Sequence, residues 1–217
     1  MMNKYLLLSV AALAAQPAHA EAGDVILRAR AIVVAPQEKS SGITPAFPNE
    51  EVKVSNYWAP EVDATYMVTN NIGLELIAAT TKHKVSGKSG TTGSIGKLAS
   101  SWVLPPTLTA QYHFAPSAKV RPYVGVGVNY TIFYNEDASG GLEAAVGKTR
   151  VRLKNSFGPS VQAGADFDLG RNLFLNVDAK WIDMDTTARL STTAAGVQRV
   201  RVHLDPLVLG VGIGTRF

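Results

Sequence analysis

From residue 25 onward the chain alternates, one for one, between apolar residues and polar or small ones, and few folds accept that pattern many times over. Segments 25–33, 61–69, 72–79, 107–114, 124–133, 157–167, 173–181 and 207–217 all show it. In 207–217, Leu207, Leu209, Val211 and Ile213 alternate with Gly210, Gly212, Gly214 and Arg216. In a strand two such sets point to opposite faces. The segments are near the roughly 9–11 residues that a tilted strand needs to cross a bilayer. Their connections alternate in length. Asn70-Asn71, 115–119 and 169–172 are short, 36–57, 83–105 and 135–155 are long, and 187–199 is intermediate. A soluble sandwich gives no reason for this rhythm, whereas a membrane barrel has short turns on one side and long loops on the other. The expected fold is all-β: an eight-stranded antiparallel transmembrane β-barrel with short periplasmic turns and long extracellular loops. Within the 135–155 connection, 140–148 is expected to hold a short helical turn around Leu142-Glu143-Ala144-Ala145.

The first residues support export. Lys4 precedes an apolar run over 5–15, and Ala18-His19-Ala20 supplies small residues for cleavage. That run is too short to span a bilayer as a helix. Residues 1–20 are therefore expected to be a cleaved signal peptide and 21–217 a single barrel domain of the outer membrane. The absence of cysteine excludes a disulfide framework and thiolate chemistry. A hydrophobic fraction of 46% fits a wall whose lipid face is apolar and whose lumen is polar. The net charge of +4 is scattered, with no dense basic stripe, which argues against nucleic-acid binding. Aromatic residues cluster near the expected interfaces: Tyr66, Tyr112, Phe114, Tyr123, Phe167 and Phe217 low, Tyr130 and Trp181 higher. They read as girdles.

The inward set changes character along the barrel. Its periplasmic half carries Arg28, Arg30, Glu61, Asp63, Glu75, Asp166, Asp178, Lys180 and Arg216. An eight-stranded barrel has room only for its own side chains or one small ligand, so these charges are expected to pair and close the lumen. Arg28, Arg30, Glu75, Asp178, Lys180 and Arg216 are the principal candidates. A proton or ion relay is the alternative. Further out the polarity inverts: Phe133, Ile182, Met184, Val202 and Leu204 take the inward parity, while Asp183, Asp185, Arg201, His203 and Asp205 turn outward. With Trp58 and Trp102 at loop ends above, these apolar residues outline either a recess for a small hydrophobic ligand or a packed plug. Pro159 and Pro206 mark places where a ladder donor is missing, and so either bulges or gaps through which an apolar molecule could leave sideways.

Other motifs fail on inspection. Gly125-Val126-Gly127 lacks the third glycine of a dinucleotide fingerprint, and Gly87-Lys88-Ser89 lacks the upstream glycine of a phosphate loop. His83, His113 and His203 lack metal-ligand spacing, so no metal or cofactor is expected. Inward Ser160 or Gln162 near His113 is the nearest approach to a catalytic set, and no nucleophile motif surrounds Ser160, so no enzyme is expected. His203 and Asp205 read as a surface pair. Lys82, Lys84, Lys88, Lys97, Lys148, Arg150, Arg152 and Lys154 flank the long loops, where they either solubilise them or meet lipopolysaccharide phosphates.

Several stretches together are specific. They are Leu74-Glu75-Leu76-Ile77-Ala78-Ala79-Thr80, Leu104-Pro105-Pro106-Thr107-Leu108-Thr109 with Gln111-Tyr112-His113-Phe114, Arg121-Pro122-Tyr123-Val124-Gly125 with Asn129-Tyr130-Thr131, Asn176-Val177-Asp178 with Trp181-Ile182, and Asp205-Pro206 with Arg216-Phe217. On these residues the chain resembles the OmpW family of small outer-membrane proteins. The resemblance implies an eight-stranded barrel with an apolar lumen and passive uptake of small hydrophobic molecules, alkane-import proteins being among the members. It also implies an alternative: a non-conducting structural or receptor barrel that meets bacteriocins, phage or lipopolysaccharide through its outer loops. Expected partners are outer-membrane lipid and lipopolysaccharide, small hydrophobic solutes, and the barrel-insertion machinery through the Phe217 end. A monomer is favoured.

Overall fold

The computed structural model describes residues 21–217, so the expected signal peptide lies outside the described residues. Along the chain run β1 (Val25–Ala35), β2 (Lys39–Ser40), β3 (Val52–Val54), β4 (Tyr57–Met67), β5 (Ile72–Ala79) and β6 (Thr81–Gly87). Helix α1 (Gly90–Ile95) precedes β7 (Lys97–Leu104), β8 (Thr107–His113) and β9 (Val120–Ala138). After α2 (Gly140–Val146) come β10 (Thr149–Leu153), β11 (Ser156–Gly170), β12 (Leu173–Ile182), β13 (Asp185–Thr192), β14 (Gly196–His203) and β15 (Leu207–Arg216).

Eight strands form the closed wall, in the order β1-β4-β5-β8-β9-β11-β12-β15, all antiparallel. Closure comes from β15 pairing with β1, from Ile26↔Arg216 to Ala35↔Leu207. A closed ladder satisfies every backbone polar group within hydrocarbon, where water cannot. The faces follow the alternation with inverted polarity. Leu76, Val126, Val211 and Ile213 lie on the outside, more than two-fifths exposed, while Arg28, Glu75, Gln111 and Asp166 are buried inside. So large an exposed apolar belt would be a liability in water; against lipid it is the favourable face. The short turns are tight. Between Gly170 and Leu173, Arg171 and Asn172 take φ of 54° and 65°, a type I′ pair whose twist suits a hairpin.

Small lumen residues let the large ones in. A Cβ on Gly212 would sit 2.1 Å from the Ala29 carbonyl oxygen, and one on Gly214 would sit 2.3 Å from the Phe174 ring. Gly212→Ala is therefore expected to cost about 1–3 kcal/mol through overpacking, read as a lower urea midpoint for the barrel in detergent micelles. An unchanged midpoint would show that β1 and β15 separate freely.

Tyr123 departs from the expected girdle. It is 1% exposed and points into the lumen, because it alternates with outward Val124 and Pro122 on β9.

The long connections are more ordered than their sequence suggests. Above the closed wall the chain continues as two separate sheets, β3-β6-β7-β9 and β10-β13-β14-β2. Most of 83–105, 149–155 and 187–199 is thus strand rather than loop. Helix α2 forms where expected, with the Ser139 hydroxyl accepting from Leu142 N at 3.1 Å as its N-cap. Helix α1, Gly-Thr-Thr-Gly-Ser-Ile, is a poor helix former by propensity. It is held by Glu50, whose carboxylate accepts from Thr91 N, Thr92 N and the Thr92 hydroxyl at 3.0, 2.7 and 2.6 Å.

Candidate functional site

The lumen has two storeys, and β1 builds the lower one. Arg28 and Arg30 are two residues apart, so both point inward, and register places Asp63 opposite Arg28 and Glu61 opposite Arg30. Arg28 Nη1 meets Asp63 Oδ1 at 3.1 Å, while its Nε and Nη2 grip both oxygens of Asp166 at 3.3 and 3.1 Å. The same guanidinium lies over the rings of Tyr123 and Phe174, 5.2 and 5.7 Å from their centres. Arg30 meets Asp63 at 2.6 Å, Glu61 at 2.9 Å, Glu75 at 3.3 Å and Asp178 at 3.6 Å. Lys180 completes the layer, 3.2 Å from Glu61 and 3.9 Å from Asp178. Neutral donors fill the remaining positions: Tyr123 Oη and Gln162 Nε2 donate to Asp178 at 2.9 and 2.8 Å, and Asn176 Nδ2 donates to Asp166 at 2.8 Å. Buried charges persist only when paired and bonded to this degree.

Of the expected closure residues, Arg28, Arg30, Glu75, Asp178 and Lys180 meet in this network. Arg216 sits apart at the short-turn end, its Nε 3.8 Å from Asp24. Tyr123, Asn176 and Gln162 donate hydrogen bonds within the layer and were not among the principal candidates. Their inward parity was the available signal. His113 bonds Gln111 at 3.1 Å rather than approaching Ser160.

The upper storey is apolar. A cavity of about 90 Å³ rests on Glu61 and Lys180, and its walls include Ile32, Val52, Ile77, Val103, Phe133, Leu153, Ile182, Met184, Val202 and Leu204. The structure brings Phe133, Ile182, Met184, Val202 and Leu204 together there, as their parity predicts. Trp58 and Trp102 are corrections. Both lie within strands rather than at loop ends, and their neighbours Ala59 and Val103 take the inward positions. Trp58 faces outward and is 72% exposed. Trp102 is on the outer surface, stacked on Tyr134 at 6.3 Å with the Lys82 ammonium 5.4 Å from its ring. Val52, from a segment read as loop, and Ile32, Ile77 and Val103 are lining residues that the sequence reading missed.

His83 also lines the cavity, above the closed wall. Its Nδ1 donates to the Ser55 carbonyl at 2.7 Å, which leaves Nε2 to accept from the Thr81 hydroxyl at 3.0 Å. Burial holds its pKa below the ordinary histidine value. The ring is therefore neutral near pH 7, and the cavity stays free of charge above its floor.

The cavity touches two places where the wall is not a regular ladder. Upper β9 and β10 share no backbone pairing. Instead Asn155 Oδ1 accepts from Phe133 N at 3.3 Å and Glu136 Oε1 accepts from Leu153 N at 3.2 Å. At Pro206 the regular register breaks between Trp181↔Leu207 and Asp185↔His203, yet the break is bridged, since Ile182 N donates to the Pro206 carbonyl at 3.3 Å and Leu204 N to the Met184 carbonyl at 2.7 Å. Pro159 makes no gap, since it lies within the unbroken β9–β11 register opposite Val128. On the outer surface His203 pairs with Asp185 at 2.6 Å, whereas Asp205 accepts from Met184 N at 3.2 Å, so the expected His203–Asp205 pair is replaced.

A closed eight-stranded barrel with a lipid-facing belt, an ion-paired floor and an apolar upper chamber defines an integral outer-membrane protein. The OmpW family profile matches residues 21–217, and the chain belongs to the OmpW family. It is 40% identical over 200 residues to outer membrane protein W of Salmonella typhimurium, covering 91% of this chain and 90% of that protein. It is 28% identical over 170 residues to outer membrane protein AlkL of Ectopseudomonas oleovorans, covering 77% and 69%. Its fold matches the crystal structure of OprG from Pseudomonas aeruginosa with a TM-score of 0.87 at 31% identity, over 93% of this chain and 99% of that one. The protein is accordingly placed in the outer membrane.

Proposed function

We propose that the protein passes small hydrophobic molecules down their gradient from the medium into the outer membrane. The observation that carries this reading is the stacking of an apolar chamber directly on a buried ion layer. An apolar solute leaving water for the chamber gains roughly 25 cal/mol for each Å² it buries. Going straight on would require it to part Arg30 and Lys180 from Glu61, leaving buried charges without partners at a cost of about 3–5 kcal/mol. The axial route is thus unfavourable to the very solutes the chamber accepts. The way out is sideways, where Phe133 and Leu153 flank the seam bridged by side chains. The family resemblance supports the same class of solute.

Uptake into liposomes with and without the protein, across apolar and polar compounds of matched size, tests this. Faster entry of apolar compounds alone is expected. No acceleration of any compound, or equal acceleration of both kinds, overturns it. A second reading, a non-conducting receptor or structural barrel, is favoured by the modest chamber volume and the sealed floor. It predicts flat permeability for every compound, with function confined to the outer surface.

A further inference from the structure

The sheet of β10, β13 and β14 carries an outward face unlike any other on the barrel. Register sets Arg152 directly opposite Arg189, and Arg189 directly opposite Arg199. Three arginines thus stand abreast on adjacent strands, on the same exposed face. Arg150, Lys154 and Arg201 surround them and are also exposed. Acidic groups gather at the β10 edge, where Glu136 lies 3.8 Å from Arg152 and shares a shallow recess with Asp137, Glu143 and Arg150, and Asp185 is engaged with His203 at the lower end; among the described residues no ion pair reaches Arg189 or Arg199. The neighbouring outer sheet provides an internal contrast, since its face mixes Lys82 and Lys84 with Asp137, Trp102 and Tyr134.

Like charges directly opposite one another destabilise a sheet, so the fold bears a cost in the free protein. A polyanion would remove it. All three members of the row are arginine, whose planar fork grips phosphate through paired hydrogen bonds. Height narrows the choice of phosphate. Arg189 stands eight residues beyond lipid-facing Trp181 on the same stave. The path leaves β12 at Ile182 and enters β13 at Asp185, so these eight residues span at most about 26 Å and raise Arg189 by at most roughly 20 Å above the hydrocarbon at the usual tilt. That height favours phosphates held above the hydrocarbon boundary over those lying at it. Phosphates carried on the core sugars of lipopolysaccharide stand at the right level. The geometry points to this arginine wall as a binding site for the phosphorylated core oligosaccharide of lipopolysaccharide, independent of the chamber and its solutes.

The test uses the full barrel in zwitterionic detergent. Four probes are titrated: rough lipopolysaccharide with a phosphorylated core, the same material with its core phosphates removed, lipid A alone, and inorganic pyrophosphate. The phosphorylated core is expected to bind at least about tenfold tighter than the other three, as several charge-assisted hydrogen bonds require. Replacing the row by glutamine (R152Q, R189Q, R199Q) should remove that advantage, whereas the triple lysine variant should keep part of it. With no ligand the glutamine variant should melt no lower than the parent, because the residues are exposed and mutually repelling. Undiminished binding by the glutamine variant overturns the site. Equal affinity for dephosphorylated core or lipid A overturns the core assignment, and equal affinity for pyrophosphate makes the wall a site for soluble anions instead. The single variant Arg189→Gln, at the centre of the row, provides the same comparison with minimal change.

Discussion

Arg30→Met is expected to destabilise the barrel by about 3–5 kcal/mol, the usual cost of removing one member of a buried charge network. The size of the effect follows from its surroundings. Arg30 is the meeting point of Glu61, Asp63, Glu75 and Asp178, and its side chain has no solvent exposure. Methionine fills much of the volume but leaves four carboxylates facing one another with only Arg28 and Lys180 to balance them. The heat- and urea-dependent mobility shift of the detergent-solubilised barrel reads the change. Removing a carboxylate as well, in Arg30→Met with Asp63→Asn, should recover a good part of the loss, because contacting charges do not contribute additively. Liposomes bearing the single variant should also become leaky to small cations, since the floor would then be loosened and richer still in uncompensated carboxylate. An unaltered midpoint, or parent liposomes that already conduct and ignore the substitution, would mean that the ion layer does not close the lumen.

Placing a carboxylate in the chamber should abolish most hydrophobic uptake. Ile182 and Leu204 are 3% and 8% exposed and face the cavity from β12 and from the link between β14 and β15. Ile182→Asp or Leu204→Asp would bring bound water with it. An incoming apolar solute would then have to strip that water from a charge, at a cost of several kcal/mol. Uptake of a hydrophobic test compound should fall at least about tenfold, the equivalent of 1.4 kcal/mol, in variants that still insert and run as folded barrels. Leu204→Met, which conserves volume, should stay near the parent. Trp58→Ala should also leave uptake unchanged, because that ring faces away from the chamber. Unchanged uptake in a folded Leu204→Asp barrel would remove the chamber from the route.

How far the sequence could be read depends on what each face touches. Within the membrane the two faces of every strand meet lipid and a polar lumen, so the contrast between neighbouring residues is steep and the eight-stranded wall is legible. Above the membrane the outer face meets water, and the inner face mixes Thr81, His83 and Ser101 with valines. The contrast weakens there, and β6, β7, β10, β13 and β14 pass for loop. Trp58 and Trp102 went astray for the same reason: without a recognised strand there is no parity to assign. The lower lumen was legible as a set of charges but not as a set of pairs. The Arg28–Asp63 register depends on how the 36–57 connection folds, and that connection carries β2, β3 and Val52 into the upper core. Helix α1 depends on Glu50, some forty residues away, and no local propensity announces it.

The two outer sheets are not mounted alike. In one, the nineteen residues of β9 run unbroken from the short-turn end of the barrel to its top, a single spar shared by wall and flap. In the other, every stave loses strand pairing where it leaves the wall: at Lys154-Asn155, at Asp183-Met184, at Leu204-Asp205-Pro206 and at Pro36-Gln37-Glu38. The first flap thus shares a strand with the wall, while the second joins it through four short links. The arginines therefore ride on the half of the mouth that is fastened to the wall by isolated cross-links instead of by a shared strand.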